Sequence, residues 1–274
     1  MASTGWQLSG FGDEIDADPT VQVAVLHALG ASHIEVRSAW GVNVVDFDAG
    51  QLAELKRILA ERSMGVSAIA SPIGKTDISV PVAHEIERLG RAITAAHALD
   101  ARYIRIFSFY DAYGQRDAVL ERMTALARLA EREHVVLLHE NEKDIYGDTP
   151  TRVLDLVESV GSDALRIAWD SANFVQVGVR PFTDAYAMLR PHLEYLQVKD
   201  AVAATGGVVP TGEGDGQLRE TLTALRDDGY TGFVSLEPHL TSSDAFGGFS
   251  GAAAFGVAAR AFRAMTDSLG IELT

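Results

Sequence analysis

Four short apolar runs in the second half of the chain end in acid or amide. Val135-Val136-Leu137-Leu138-His139-Glu140, Leu165-Arg166-Ile167-Ala168-Trp169-Asp170, Leu193-Glu194-Tyr195-Leu196-Gln197-Val198-Lys199 and Phe233-Val234-Ser235-Leu236-Glu237 each read as a buried strand with a polar end. Strand residues two apart point the same way. Leu138 therefore shares a face with Glu140, Ala168 with Asp170, Tyr195 with Gln197 and Lys199, and Ser235 with Glu237. If each set faces inward, Glu140, Asp170, Gln197 and Glu237 converge at one rim. Crowded carboxylates resist ionisation unless a cation holds them. Oxygen ligands with one amide suit a hard divalent ion, Mn²⁺ or Mg²⁺. One acid at a strand end is usually a salt-bridge partner; four such residues at one level, three of them acidic, carry the signal.

Those strand ends need a frame that sets them side by side. Short apolar runs alternate with amphipathic stretches along the whole chain. Residues 6–11 read as a first strand, after which Asp18 as N-cap and Pro19 at the first helical position open a helix ending at Gly30. Strands are expected at 33–37, 66–70 and 102–107, and helices at 48–64, 81–99 and 115–133. Beyond the strand at Val135, Thr149-Pro150 begins a helix closed near Gly161. A further helix is expected at 183–193, disturbed by Pro191. A glycine-rich loop at 205–216 precedes helices at 217–228 and 250–269. Eight strand–helix units with continuously apolar strands predict an α/β fold, a single-domain (β/α)₈ TIM barrel over residues 1–274. An open nucleotide-binding sheet fits less well, because Gly10-Phe11-Gly12-Asp13-Glu14 lacks a third glycine and puts acid where a pyrophosphate would sit.

Composition narrows the partners. The formal net charge is −15 and there is no Lys/Arg cluster, which argues against nucleic acid. The longest apolar runs fall short of the roughly 18 residues a membrane helix needs. No basic-then-apolar leader opens the chain, and cysteine is absent, so disulfides and thiolate metal sites are excluded. A soluble cytoplasmic protein is expected. The Ala- and Phe-rich last helix could pack against a second copy in a homo-oligomer.

The order of short motifs resembles the sugar phosphate isomerase/epimerase family, the xylose isomerase-like barrels of the AP endonuclease family 2 superfamily. The resemblance runs from Phe11-Gly12-Asp13-Glu14-Ile15 through Ile34-Glu35-Val36-Arg37, Ser71-Pro72-Ile73-Gly74-Lys75 and Arg105-Ile106-Phe107-Ser108-Phe109. It continues through Trp169-Asp170-Ser171-Ala172-Asn173-Phe174, Val198-Lys199-Asp200 and Gly212-Glu213-Gly214-Asp215-Gly216 to Leu236-Glu237-Pro238-His239. It implies a metal held by Glu140, Asp170, Gln197 and Glu237, with Glu140 and Glu237 as the acid/base pair. Two imidazoles of the family pattern are amides here: Gln197 at the seventh strand, which weakens or removes metal binding, and Asn173 three residues after Asp170. The activity implied is isomerisation or epimerisation of a small carbohydrate through an ene-diolate. Lys199, His239, Asn173, Arg37 and Phe107 are the candidate substrate contacts. An Arg37–Glu35 ion pair is the simpler expectation for that arginine. Glu142 rivals Glu140 as ligand, His139 reads as a packed histidine, and loops 110–114 and 241–251 are lid or subunit-contact candidates. A metal-independent isomerase of hydroxypyruvate type and a non-catalytic sugar-binding barrel remain as alternatives.

Overall fold

The computed structural model describes residues 5–241 and 248–274. Its first half runs β1 (Gln7–Gly10), α1 (Pro19–Ala28), β2 (His33–Val36), α2 (Ala49–Ala60), β3 (Gly65–Ala70), α3 (Val82–Ala98), β4 (Tyr103–Ile106) and α4 (Arg116–Arg132). The second half runs β5 (Val136–Glu140), α5 (Pro150–Val160), β6 (Leu165–Asp170), α6 (Ser171–Gln176), β7 (Leu193–Val198), α7 (Leu218–Asp227), β8 (Phe233–Leu236) and α8 (Gly251–Ser268). The eight strands form one parallel sheet in the order β1-β8-β7-β6-β5-β4-β3-β2. A bridge between Phe11 and Glu35, just past β1, brings its two edges together. The result is the expected (β/α)₈ barrel. Among the described residues, no helix is long and apolar enough to cross a membrane.

Local signals explain the elements. Asp18 accepts from Thr20 N and Pro19 occupies the first turn of α1, while Asp48 and Gln51 cap α2 reciprocally. Gly161 closes α5 in the left-handed conformation that L side chains resist. One face of each strand packs against the helices, as Ile34, Ile104, Leu137 and Ile167 do against residues such as Leu26 and Leu126. The other face fills the barrel lumen, where Ala68, Tyr103, Leu138, Ala168 and Tyr195 form a separate buried cluster.

The segment between β6 and β7 departs from expectation. Asp170 caps a helix that the sequence reading omitted, α6, through its contact with Asn173 N at 2.9 Å. The helix expected at 183–193 is instead a π-helical turn (Pro181–Tyr186), one α turn (Ala187–Leu189) and a 3-10 turn (Arg190–His192). Pro191 removes a backbone donor inside the expected span, so a continuous α-helical ladder cannot run through to its end. In loop 110–114, Tyr110 bridges to Asp77 and to Ile145, which ties that segment to its neighbours. Most of loop 241–251 lies outside the described residues.

Candidate active site

Strand register sets the level of each candidate. Asp170 lies beside Gln197, and Ser235 beside Gln197 on the other flank, so β6, β7 and β8 end together. The inward alternation holds: below the rim, Tyr195 donates to Glu35 Oε2 at 2.8 Å and meets Ser67 at 2.9 Å, which in turn meets Ser9 at 2.7 Å. A polar column thus climbs the lumen towards the acidic rim.

At the rim the carboxylates are buried and paired. Glu140 Oε2 lies 3.1 Å from Arg105 Nη1, and Glu140 Oε1 accepts from Asn173 Nδ2 at 3.0 Å. Gln197 satisfies its surroundings with Nε2 towards Glu140, donating to Oε1 at 3.3 Å and Oε2 at 3.0 Å. The other end of that amide lies 3.4 Å from Glu35 Oε1. Lys199 Nζ sits 2.8 Å from Asp170 Oδ2 and 3.2 Å from Glu237 Oε2. Glu237 Oε1 meets Arg37 at 3.1 Å, His239 Nε2 at 3.2 Å and Arg105 at 3.7 Å. His239 Nε2 also lies 3.1 Å from Glu14 Oε1.

Burial and charge then divide the two glutamates. Burial and the nearby Glu237 raise Glu140 above the ordinary carboxylate range, against Arg105 and Lys199. Burial also opposes ionisation of Glu237, but Lys199, His239 and Arg37 outweigh it and hold this group well below that range. Asp170 is pushed up to about 7 by burial, with Lys199 opposing. Burial lowers Lys199, but Asp170, Glu237 and Glu140 reverse the effect and keep its ammonium charged. The site therefore brings two carboxylates of different proton affinity to the same cavity. That cavity is lined by Glu140 and Glu237 with Arg37, Lys75, Arg105, Glu142, Lys199 and His239.

Comparison with known proteins identifies the family. The family model described as xylose isomerase-like TIM barrel matches residues 23–265. The chain belongs to that family. It is 29% identical over 222 residues to a 2-epi-5-epi-valiolone 7-phosphate 2-epimerase of Actinoplanes sp. SE50/110, covering 72% of this chain and 77% of that protein. Among solved structures, the probable 3-DHS dehydratase AsbF involved in petrobactin synthesis from Bacillus anthracis shares 18% identity, with a TM-score of 0.75 over 94% of this chain and 98% of that one. A xylose isomerase-like TIM barrel protein from Mycobacterium smegmatis, in complex with magnesium, shares 20% identity, with a TM-score of 0.69 over 98% of each chain.

Glu140, Asp170 and Glu237 each bring an oxygen within 4.8 Å of the others, a grouping that could hold a metal ion. Glu14, Glu237 and His239 form a second such group. The complete donor set is less suited to a divalent ion. Neither Asp170 nor Gln197 reaches the cavity wall, because Lys199 covers the first and the second turns its amide to Glu140 and Glu35. Three carboxylates already face three cations, Lys199, Arg105 and Arg37.

Several sequence expectations are repositioned. Arg37 pairs with Asp13 at 2.8 Å and with Glu237, not with Glu35, which is buried one level lower against Tyr195. Asn173 stands behind Glu140 and bonds it and the Asn141 carbonyl, away from the cavity wall. Phe107 is buried with Lys75 over its ring at 4.2 Å and Arg105 at 4.9 Å, so it supports cations at the cavity floor. Trp169 and Phe174 are core, packed edge to face at 5.1 Å. Glu142 pairs with Lys75 at 3.0 Å on the cavity wall, and His139 is buried against Ser108 at 2.9 Å. Arg105 was missed. The signal was available: it lies two residues after the inward Tyr103, so the same alternation sends it to the rim.

Proposed function

We propose that this chain is an isomerase or epimerase of a small carbohydrate or sugar-derived keto compound, with Glu140 and Glu237 carrying the proton. The observation that supports this most strongly is the pair itself. Two buried glutamates from β5 and β8 line one cavity, and their neighbours drive their proton affinities apart. The epimerase name of the Actinoplanes relative points the same way.

In this reading one of the two glutamates, as its carboxylate, removes the proton from the carbon next to a carbonyl. The C–H electron pair becomes a C=C bond and the carbonyl oxygen takes the negative charge. Lys199 and Arg105, fixed by their own carboxylate partners, are placed to donate to that ene-diolate oxygen without reorganising. The other glutamate then delivers a proton. Return to the same carbon from the opposite face inverts it; return to the former carbonyl carbon, with the neighbouring hydroxyl's proton passing to the former carbonyl oxygen, isomerises the sugar. Arg37 and His239 orient Glu237, and both line the cavity a substrate would enter. The divalent ion expected from the sequence, Mn²⁺ or Mg²⁺, would polarise the carbonyl if bound, but no step here depends on it.

The test is a panel of ketoses, ketose phosphates and cyclitol ketones, with products resolved by stereochemistry. Conversion of at least one supports the reading. Tight sugar binding with no conversion of any of them would make the chain a binding barrel instead.

A further inference from the structure

We infer that the ammonium of Lys199 is the resident cation of this site, standing where a divalent ion would otherwise be held. The inference rests on the reading of the site as the proton-transfer centre and names what balances its charge. Each oxygen of the three rim carboxylates has a donor nitrogen close by, although the Lys199 ion pair at Asp170 Oδ2 is not aligned as a hydrogen bond. Asp170 Oδ1 accepts from Asn173 N at 2.9 Å, and Oδ2 faces Lys199 Nζ at 2.8 Å. Glu237 Oε1 faces Arg37 and His239, and Oε2 faces Lys199 at 3.2 Å. Glu140 Oε1 accepts from Asn173, and Oε2 faces Arg105 at 3.1 Å.

The fourth member of the set is not a free ligand either. Gln197 donates its amide nitrogen to Glu140, and the oxygen end faces Glu35. A divalent ion entering the triangle of Glu140, Asp170 and Glu237 would meet the Lys199 ammonium between two of its three ligands. Like charges at that distance repel, and in a buried site little solvent screens them. Lys199 is also the only rim cation that touches both Asp170 and Glu237 among the described residues. Removing its charge while keeping its length would leave two buried carboxylate oxygens without their cation and restore an ion-binding triangle.

The experiment measures metal alone, without substrate, on the full chain. Metal content is determined by mass spectrometry after chelator dialysis, and Mn²⁺ binding by loss of the free-ion paramagnetic resonance signal. Wild type is expected to retain no stoichiometric divalent ion. Lys199→Met is expected to bind Mn²⁺ roughly tenfold or more tightly than wild type, a scale set by removal of one adjacent charge. Lys199→Arg, which keeps the cation, is expected to match wild type. A wild type that keeps about one Mn²⁺ or Mg²⁺ per chain overturns the inference, as does a folded Lys199→Met with no gain in affinity. If Lys199→Met does not fold, Gln197→His in the wild-type background decides: Mn²⁺ binding equal to a metal-loaded site, with Lys199 intact, overturns the inference, and continued weak binding supports it. Because no sugar is present, failure here leaves the proton-transfer reading standing, and failure of the sugar panel leaves these outcomes unchanged.

Discussion

Glu35 makes stability depend on pH in a way that a single substitution can remove. The carboxyl is fully buried beneath the rim, and burial outweighs Arg105 and Tyr195 to push it up from an ordinary 4.5 to about 7. A carboxylate raised by folding contributes stability that is complete below its unfolded value and is lost as pH rises through its folded value. The window here is pH 4.5 to 7. Moving a proton affinity from 4.5 to about 7 costs the fold about 3 kcal/mol at pH 8, at about 1.4 kcal/mol per tenfold. Glu35→Gln removes that cost and keeps the contacts: its oxygen can accept from Tyr195 and its amide can donate to the oxygen end of Gln197. Urea unfolding at pH 4.5 and pH 8 reads the difference. Glu35→Gln is expected to be more stable than wild type at pH 8 by up to about 3 kcal/mol, and by well under 1 kcal/mol at pH 4.5. A variant that is destabilised equally at both values would refute the assignment of a protonated, buried Glu35.

Asp200 organises the glycine-rich loop beyond β7: its carboxylate accepts from the backbone N–H groups of Ala201, Gly212, Gly214 and Gly216. Asp200→Asn turns one oxygen into a donor facing donors, and is expected to cost about 3 kcal/mol or more in urea unfolding at about 1.5–3 kcal/mol per charged hydrogen bond; a loss under about 1 kcal/mol would count against this picture. Gly74 sits at φ +82° with the place of a β-carbon 2.2 Å from the Phe107 carbonyl oxygen. Gly74→Ala is therefore expected to destabilise the fold by more than the about 1–2 kcal/mol of left-handed strain alone, read as a lowered melting temperature, and a melt unchanged from wild type would contradict the close approach.

The barrel was legible because strand interiors, caps and breakers agree through most of the chain. Asp18-Pro19, Asp48 with Gln51, and Thr149-Pro150 with Gly161 mark helix ends where the structure has them. Alternation alone brought Glu140, Asp170, Gln197 and Glu237 to one rim, since side-chain direction in a strand is fixed by parity. Partners were harder to read. Whether Arg37 meets Glu35 or Glu237 depends on neighbours some 200 positions away in the chain, and the structure chooses Glu237. Arg105 hid in an apolar strand, where a lone arginine gives no periodic signal although its parity was right. Asp170 was visible as a candidate ligand but not as the cap of α6, and it serves the helix with one oxygen and Lys199 with the other. Residues 183–193 differ from expectation because apolar spacing does not register the hydrogen-bond ladder, which departs from α geometry at Pro181–Tyr186 and loses a donor at Pro191.

The most direct measurement of the proton-transfer chemistry is solvent deuterium uptake by a converted sugar, in wild type and in Glu237→Gln. The geometry predicts deuterium at the carbon next to the carbonyl in wild type, and a fall in exchange of about 10² to 10⁴ in Glu237→Gln with sugar binding retained. Conversion with no deuterium entering the sugar, or exchange that persists unchanged in Glu237→Gln, would contradict it.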